Sequence, residues 1–364
     1  MAEVAWTDRF AAPLDGVRRA TLARALRNRS VRIALSSRDR RIVWIVCIHA
    51  CLALTLTVLF PAPLLVLLPL LLGVPHVVAD LRYLVLRRVA EPGARASIIV
   101  GCTALAGLNA YGLLSPRFDV ARAEVTLGAL VVAACGLVAF ASTPRPWTRR
   151  GAARGALVIG AVAILGWTAR LHPRVALVLL IHLHNAVALV AWLWLFRARV
   201  RSVLLPLALV SAAAALLVSG ALVPAALRIG VWQGFGTNLL AAADWLAPGV
   251  PGALGVGLAL SFIFMQSVHY LVWLVLVPSD DRPGGGFVSF RRSFRDLIGD
   301  LGALGAAAAV GASALVLGFG VMAPFRTRNV YLAIASFHVW LELAVLVVFA
   351  LGVRSRTPRT GVPG

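Results

Sequence analysis

Two pairs in this chain place an acid four residues after a histidine: His76 with Asp80, and His338 with Glu342. On a helix that spacing puts both side chains on one face, one turn apart. An imidazole binds metals or carries protons. A carboxylate beside it takes one ring N–H and so fixes which nitrogen stays free, or it ligates directly. Gln266 and His269, three apart, form a weaker version of the same face. His182 and His184 are two apart and point to nearly opposite sides of a helix, so one of them enters any common site. We take His184, with Asn185 as its neighbour.

The elements that carry these residues are membrane spans. Of 364 residues, 60% are hydrophobic and 13% charged, and the mean hydropathy is +0.90, far outside the range of a soluble domain. Each crossing needs roughly 20 apolar residues. About ten such runs are present, near 43–60, 62–86, 96–115, 122–142, 153–171, 174–196, 202–226, 252–278, 297–323 and 329–353. The expected fold is therefore an all-α, polytopic membrane helical bundle. Residues 1–42 read as a basic amphipathic cytoplasmic segment that anchors on an anionic leaflet, 43–353 as the transmembrane domain, and 354–364 as a cytoplasmic tail. Polar residues precede the first apolar run, so targeting rests on that span rather than on a cleaved leader.

The net charge of +21 comes from arginine, since the sequence has no lysine. Its arginines lie in the connections and not along one face of a folded domain, which argues against a nucleic-acid partner. Residues 1–42 carry ten arginines against four acids, and the connections with Arg87, Arg88 and Arg95, with Arg145, Arg149 and Arg150, and with Arg197, Arg199 and Arg201 are also basic. By the positive-inside rule these lie on one side, giving a multi-pass protein of the cell inner membrane with both termini cytoplasmic. Arg170 with Arg174 and Arg326 with Arg328 are exceptions on the opposite side. Cys47, Cys51, Cys102 and Cys135 fall within spans and read as small packing residues. The Gly284–Gly286 stretch lacks the strand and Lys-Ser/Thr of a phosphate loop and reads as an interfacial loop, while 228–251 is too interrupted to span and its tryptophans suit an outer interface belt.

With that topology, His76, His184, His269, His338 and Glu342 lie at similar depth. Their offsets from the cytoplasmic ends of their spans differ by at most about 9 Å at 1.5 Å per residue, so the groups fit one buried chamber. Polar side chains inside a bilayer are costly unless something engages them. Pro75 removes a backbone hydrogen bond just before His76 and is expected to kink the helix there. Imidazole-rich sites suit iron, copper or zinc. A carboxylate-bridged di-iron centre is a poor fit, because only Glu342 of the four glutamates reads as deep in a span. Mononuclear iron(II) on four histidines is the closest match in residue supply, and axial ligation of haem is an alternative without a C-x-x-C-H attachment motif. No G-x-S-x-G elbow supports hydrolysis.

GVPH at 73–76 followed by Asp80, HLHN at 182–185 and FHVWLE at 337–342 resemble, in order and spacing, the bacterial β-carotene dioxygenases of the Brp/Blh type. The resemblance covers scattered short motifs and departs from the family pattern at Val77, at Arg82 and Tyr83, and in the spacing of two in the middle motif. It implies a polytopic enzyme that uses histidine-bound iron(II) and dioxygen to cleave a carotenoid, with His76, His182 or His184, His269 and His338 as ligands. The expected reading is thus a membrane metalloenzyme acting on a lipophilic substrate, with Asp80 and Glu342 orienting ligands and Phe264, Tyr270, Trp273, Phe337 and Trp340 lining its channel. The rival reading is a transporter in which the same His, Asp and Glu residues relay protons or cations.

Overall fold

In hydrocarbon every backbone N–H and C=O must be satisfied within its own segment, so apolar runs of this length become helices. The computed structural model describes residues 2–115, 117–142, 148–195, 200–281 and 289–351. Within them the chain forms α1 (Ala2–Ala25), α2 (Arg29–Leu35), α3 (Arg38–Leu59), α4 (Pro61–Asp80), α5 (Pro92–Leu114), α6 (Val120–Ala141), α7 (Arg149–Leu171), α8 (Pro173–Leu195), α9 (Val200–Val218), α10 (Val223–Ile229), α11 (Leu239–Leu246), α12 (Gly252–Leu271), α13 (Val277–Asp280), α14 (Phe290–Met322), α15 (Pro324–Ala335) and α16 (Phe337–Ala350). A two-residue hairpin, β1 (Gln233–Gly234) with β2 (Thr237–Asn238), is the one sheet among the described residues. Prolines open α4, α5, α8 and α15, where no intrahelical N–H is needed. Ser37, Asp119 and Thr148 cap α3, α6 and α7 through side-chain oxygens that accept the N–H groups of Arg40, Arg122 and Gly151.

Nine helices among the described residues are long and apolar enough to cross a membrane, or ten if one bent pair is a single span. The chain is an all-α bundle of multi-pass membrane type. α12 lies at its centre, packed by α3, α4, α8, α9 and α11, and most of its core-facing residues are buried.

Several expected spans are interrupted. The run 202–226 is broken: α9 stops at Val218 and α10 departs at 76°, across Gly220 at φ 76, a left-handed conformation that favours glycine. The run 329–353 splits at Ser336 into α15 and α16. The connection 279–296, expected as an interfacial loop, is helical in its basic second half, since α14 starts at Phe290 with Ser289 accepting the Arg292 N–H; Gly284, Gly285 and Gly286 lie outside the described residues, as do Arg145, Arg197, Arg199 and the 354–364 tail. Pro75 is accommodated within α4. The irregularity comes instead after Asp80, where Leu81–Leu86 forms a wider π-type turn and the Arg87 N–H donates to Arg82 O, five residues back, at 3.0 Å. A second π-type turn, Val272–Leu276, follows α12.

The basic residues that end these spans are paired. Asp300 of α14 accepts from Arg82 (2.7 Å) and Arg87 (2.6 Å), and Asp281 accepts from Arg87 and Arg88 at 2.6 Å. Asp280 takes Arg38 at 2.6 Å and the Trp192 indole N–H at 2.9 Å. α1 does more than cover the surface, because Asp15 accepts the N–H groups of Phe290 (2.7 Å) and Arg291 (3.3 Å) at the start of α14.

Candidate metal centre

Four helices deliver one imidazole each: His76 from α4, His184 from α8, His269 from α12 and His338 from α16. All four are buried. Ring centroids lie 4.3 Å apart for His184–His269, 4.7 Å for His184–His338, 4.9 Å for His76–His338, 5.2 Å for His76–His269 and 6.4 Å for His269–His338. Residues separated by more than 250 positions thus meet edge to face in one pocket.

Local breaks in helix geometry aim these groups. At Ser336 the ladder is interrupted, since the Val339 N–H donates to Ser336 O and leaves the Ala335 carbonyl to the His338 ring, whose Nδ1–H donates to it. A carbonyl only accepts, so Nδ1 carries the proton and Nε2 presents its lone pair to the chamber. There it lies 3.2 Å from His184 Nε2. The two π-type turns follow directly on the His76/Asp80 and His269 turns, the kind of place where such bulges often mark function.

The acids sit beside the rings. Asp80 Oδ2 is 4.0 Å from His76 Nε2, within one turn of α4, and Glu342 Oε1 is 3.8 Å from His269 Nε2, across two helices. Glu342 is held by the Trp273 indole, whose Nε1–H donates to Oε1 at 2.9 Å. Buried polar atoms without a hydrogen-bond partner concentrate here: both ring nitrogens of His76 and His269, Nδ1 of His184, both oxygens of Asp80 and Oε2 of Glu342. Buried polar groups are ordinarily paired, so this cluster is a set of donor atoms held ready.

Two overlapping triads, His76/His269/His338 and His184/His269/Glu342, each keep one ligand atom per residue within 4.8 Å of the others. With metal–nitrogen bonds of about 2.1 Å, three donors on one ion lie on average no more than about 3.6 Å apart, so either triad needs a closure of up to about 1.2 Å.

A cavity of about 420 Å³ opens on the cluster, in the size range of small-molecule sites. Of the aromatics expected to line it, Tyr270 and Trp340 do. Phe264 is buried on another face of α12, Trp273 is committed to Glu342, and Phe337 packs against the apolar core. Phe262, Trp245 and Phe325 line it instead. Phe262, Gln266, His269 and Tyr270 follow i, i+4, i+7, i+8 spacing on α12, the helical arithmetic that selects Phe262 and rejects Phe264. Trp245 is not an isolated interface residue, because it stacks under the Arg328 guanidinium at 4.8 Å.

The sequence also missed three lining residues. Glu124 of α6 is buried and accepts the Trp340 indole N–H at 3.3 Å, so Glu342 is not the one deep glutamate, although Glu124 joins neither triad. Arg328, assigned to the outer side as a charge exception, is buried in the cavity wall. Asn109 of α5 is the third. Only their polarity within an apolar run signals them. His182 turns away from the chamber, with Nε2 donating to Leu246 O at 2.9 Å, and His49 meets Ser267 O at 3.1 Å. The four cysteines carry no disulfide. No protein-family model matches this chain, and no curated protein or solved structure does either.

Proposed function

We propose that the chain is a membrane metalloenzyme of the inner membrane, with both termini cytoplasmic, in which His76, His184, His269 and His338 hold iron(II) and a lipophilic molecule such as a carotenoid is oxidised with dioxygen. One observation carries this reading: four imidazoles from four helices converge, and five of their eight ring nitrogens find no hydrogen-bond partner among the described residues. Imidazole donors suit iron, copper and zinc alike; the motifs shared with the Brp/Blh-type dioxygenases favour iron. Ferrous iron in such a site supplies the activation of dioxygen that closed-shell organic groups cannot.

The chain's own residues do the rest. The Ala335 carbonyl fixes the His338 tautomer and turns Nε2 inward. Trp273 holds Glu342 beside His269, and Asp80 stands one turn from His76, so each carboxylate is placed to orient an imidazole. Leu177, Leu180, Ile181 and Phe262 make the cavity wall apolar, which excludes water and suits a substrate that enters from the bilayer.

The test is elemental analysis of the full-length protein purified in detergent. Stoichiometric iron is expected in the wild type and its loss in the His76→Ala/His269→Ala double variant, with coexpressed carotenoid bleached only by the former. A bound transition metal left unchanged by the double substitution, or none in the wild type, overturns the reading.

A further inference from the structure

Arg328 is the cavity's unexplained residue. It is 3% exposed, and a guanidinium has five N–H donors and a charge that no environment removes. Its Nε donates to Leu65 O at 3.2 Å and its Nη1 to Asn329 Oδ1 at 2.8 Å, while Nη2 is buried with no partner. Trp245 covers one face at 4.8 Å. No carboxylate lies within ion-pair distance of it among the described residues; the cavity's own acid, Glu124, takes the Trp340 indole N–H instead. An unpaired buried cation is among the most costly arrangements a bilayer protein can hold. Arg328 therefore brings an unmatched charge, with one nitrogen still unpaired, to the wall of the cavity.

The same cavity is apolar along α8 and α12, through Leu177, Leu180, Ile181 and Phe262, and ends on the imidazole cluster. Arg328 lies ten residues before His338, at most about 15 Å of helix rise from it. We infer that the cavity binds a long-chain carboxylic acid, whose carboxylate pairs with Arg328 while its chain runs along the apolar wall toward the imidazoles. This rests on reading the cavity as the substrate site of the proposed metal centre and narrows its lipophilic substrate to one bearing a carboxylate, a condition that an acidic carotenoid meets and an unsubstituted carotene does not. An unsubstituted hydrocarbon fills the apolar wall yet leaves the guanidinium bare, whereas a carboxylate supplies the missing counter-charge and accepts from the unpaired Nη2. The reactive position would then fall along the chain and not at the acid end.

The experiment measures binding of palmitate, hexadecanol and hexadecane to the full-length protein in detergent micelles, with metal content determined on the same preparations. Palmitate is expected to bind at least about tenfold more tightly than hexadecanol or hexadecane in the wild type. Arg328→Met is expected to reduce that preference to within about twofold while the metal content stays unchanged, and Arg328→Lys to retain part of it. Equal binding of the three probes by the wild type overturns the inference without any variant, and so does a palmitate preference that survives in a folded Arg328→Met protein. Selective palmitate binding by a protein that holds no metal would instead sink the metal reading and leave the acid site standing.

Discussion

Glu342 owes its position to Trp273, whose indole N–H is, among the described residues, the one hydrogen bond holding its carboxylate beside His269. Trp273→Phe keeps the aromatic volume and removes that donor. Outer hydrogen bonds to metal ligands and their partners are worth about 10–100-fold in affinity, so titration of the apoprotein with ferrous iron should show binding weakened about tenfold in this variant, with thermal stability little changed. Histidines and acids spaced by four advertised themselves in the sequence because a polar group inside an apolar run is costly and helical spacing says which groups share a face. Glu124, Arg328 and Trp245 did not, because their importance comes from contacts between helices far apart in the chain: Trp340 on Glu124, Leu65 O and Trp245 on Arg328. No spacing rule within one helix reports those.

At the scale of elements, α16 reaches the site only because α6 lets it approach. A Cβ placed on Gly128 would lie 2.2–2.5 Å from the Trp340 ring. Gly128→Ala should therefore overpack the α6–α16 contact and cost about 1–3 kcal/mol, read as a lowered thermal midpoint in detergent. Because Trp340 also lines the cavity and donates to Glu124, its displacement should weaken ligand binding in the same variant. Hydropathy located the helices well, since length and apolarity alone decide whether a segment can cross. It did not locate the breaks at Gly220 and Ser336, because a window of about 20 residues averages over a single interrupted turn, and it treated the first turns of α14 as a connection because arginine-rich helix and arginine-rich loop have the same composition.

At the scale of the whole molecule, charge gathers at the end of the bundle to which the basic connections were assigned, where Arg38, Arg82, Arg87 and Arg88 tie α3 and α4 to Asp280, Asp281 and Asp300. The N-terminal helix joins this layer through Asp15. Burial pushes its carboxyl up, but the N–H groups of Phe290 and Arg291 and the charges of Arg18 and Arg291 outweigh it and hold the group below its ordinary value. A carboxyl lowered on folding stabilises the docked state above its free value of about 3.9, and loses that contribution as the pH falls through the lower, folded one. Protection of α1 amides from hydrogen exchange, taken relative to the intrinsic rate at each pH, should accordingly fall as the pH is taken from about 6 toward 3, and Asp15→Asn should remove most of that dependence. The two widened turns have a different bearing on the molecule's architecture. Each holds one residue more than an ordinary helical turn needs, and removing a single residue from Leu81–Leu86 would swing everything upstream by about 100° about the helix axis. The imidazole of His76 would then face away from its three companions while the arginines below kept their grip on Asp300, so these short loosened coils act as angular spacers that let one rod serve both the chamber in its middle and the clasp at its foot.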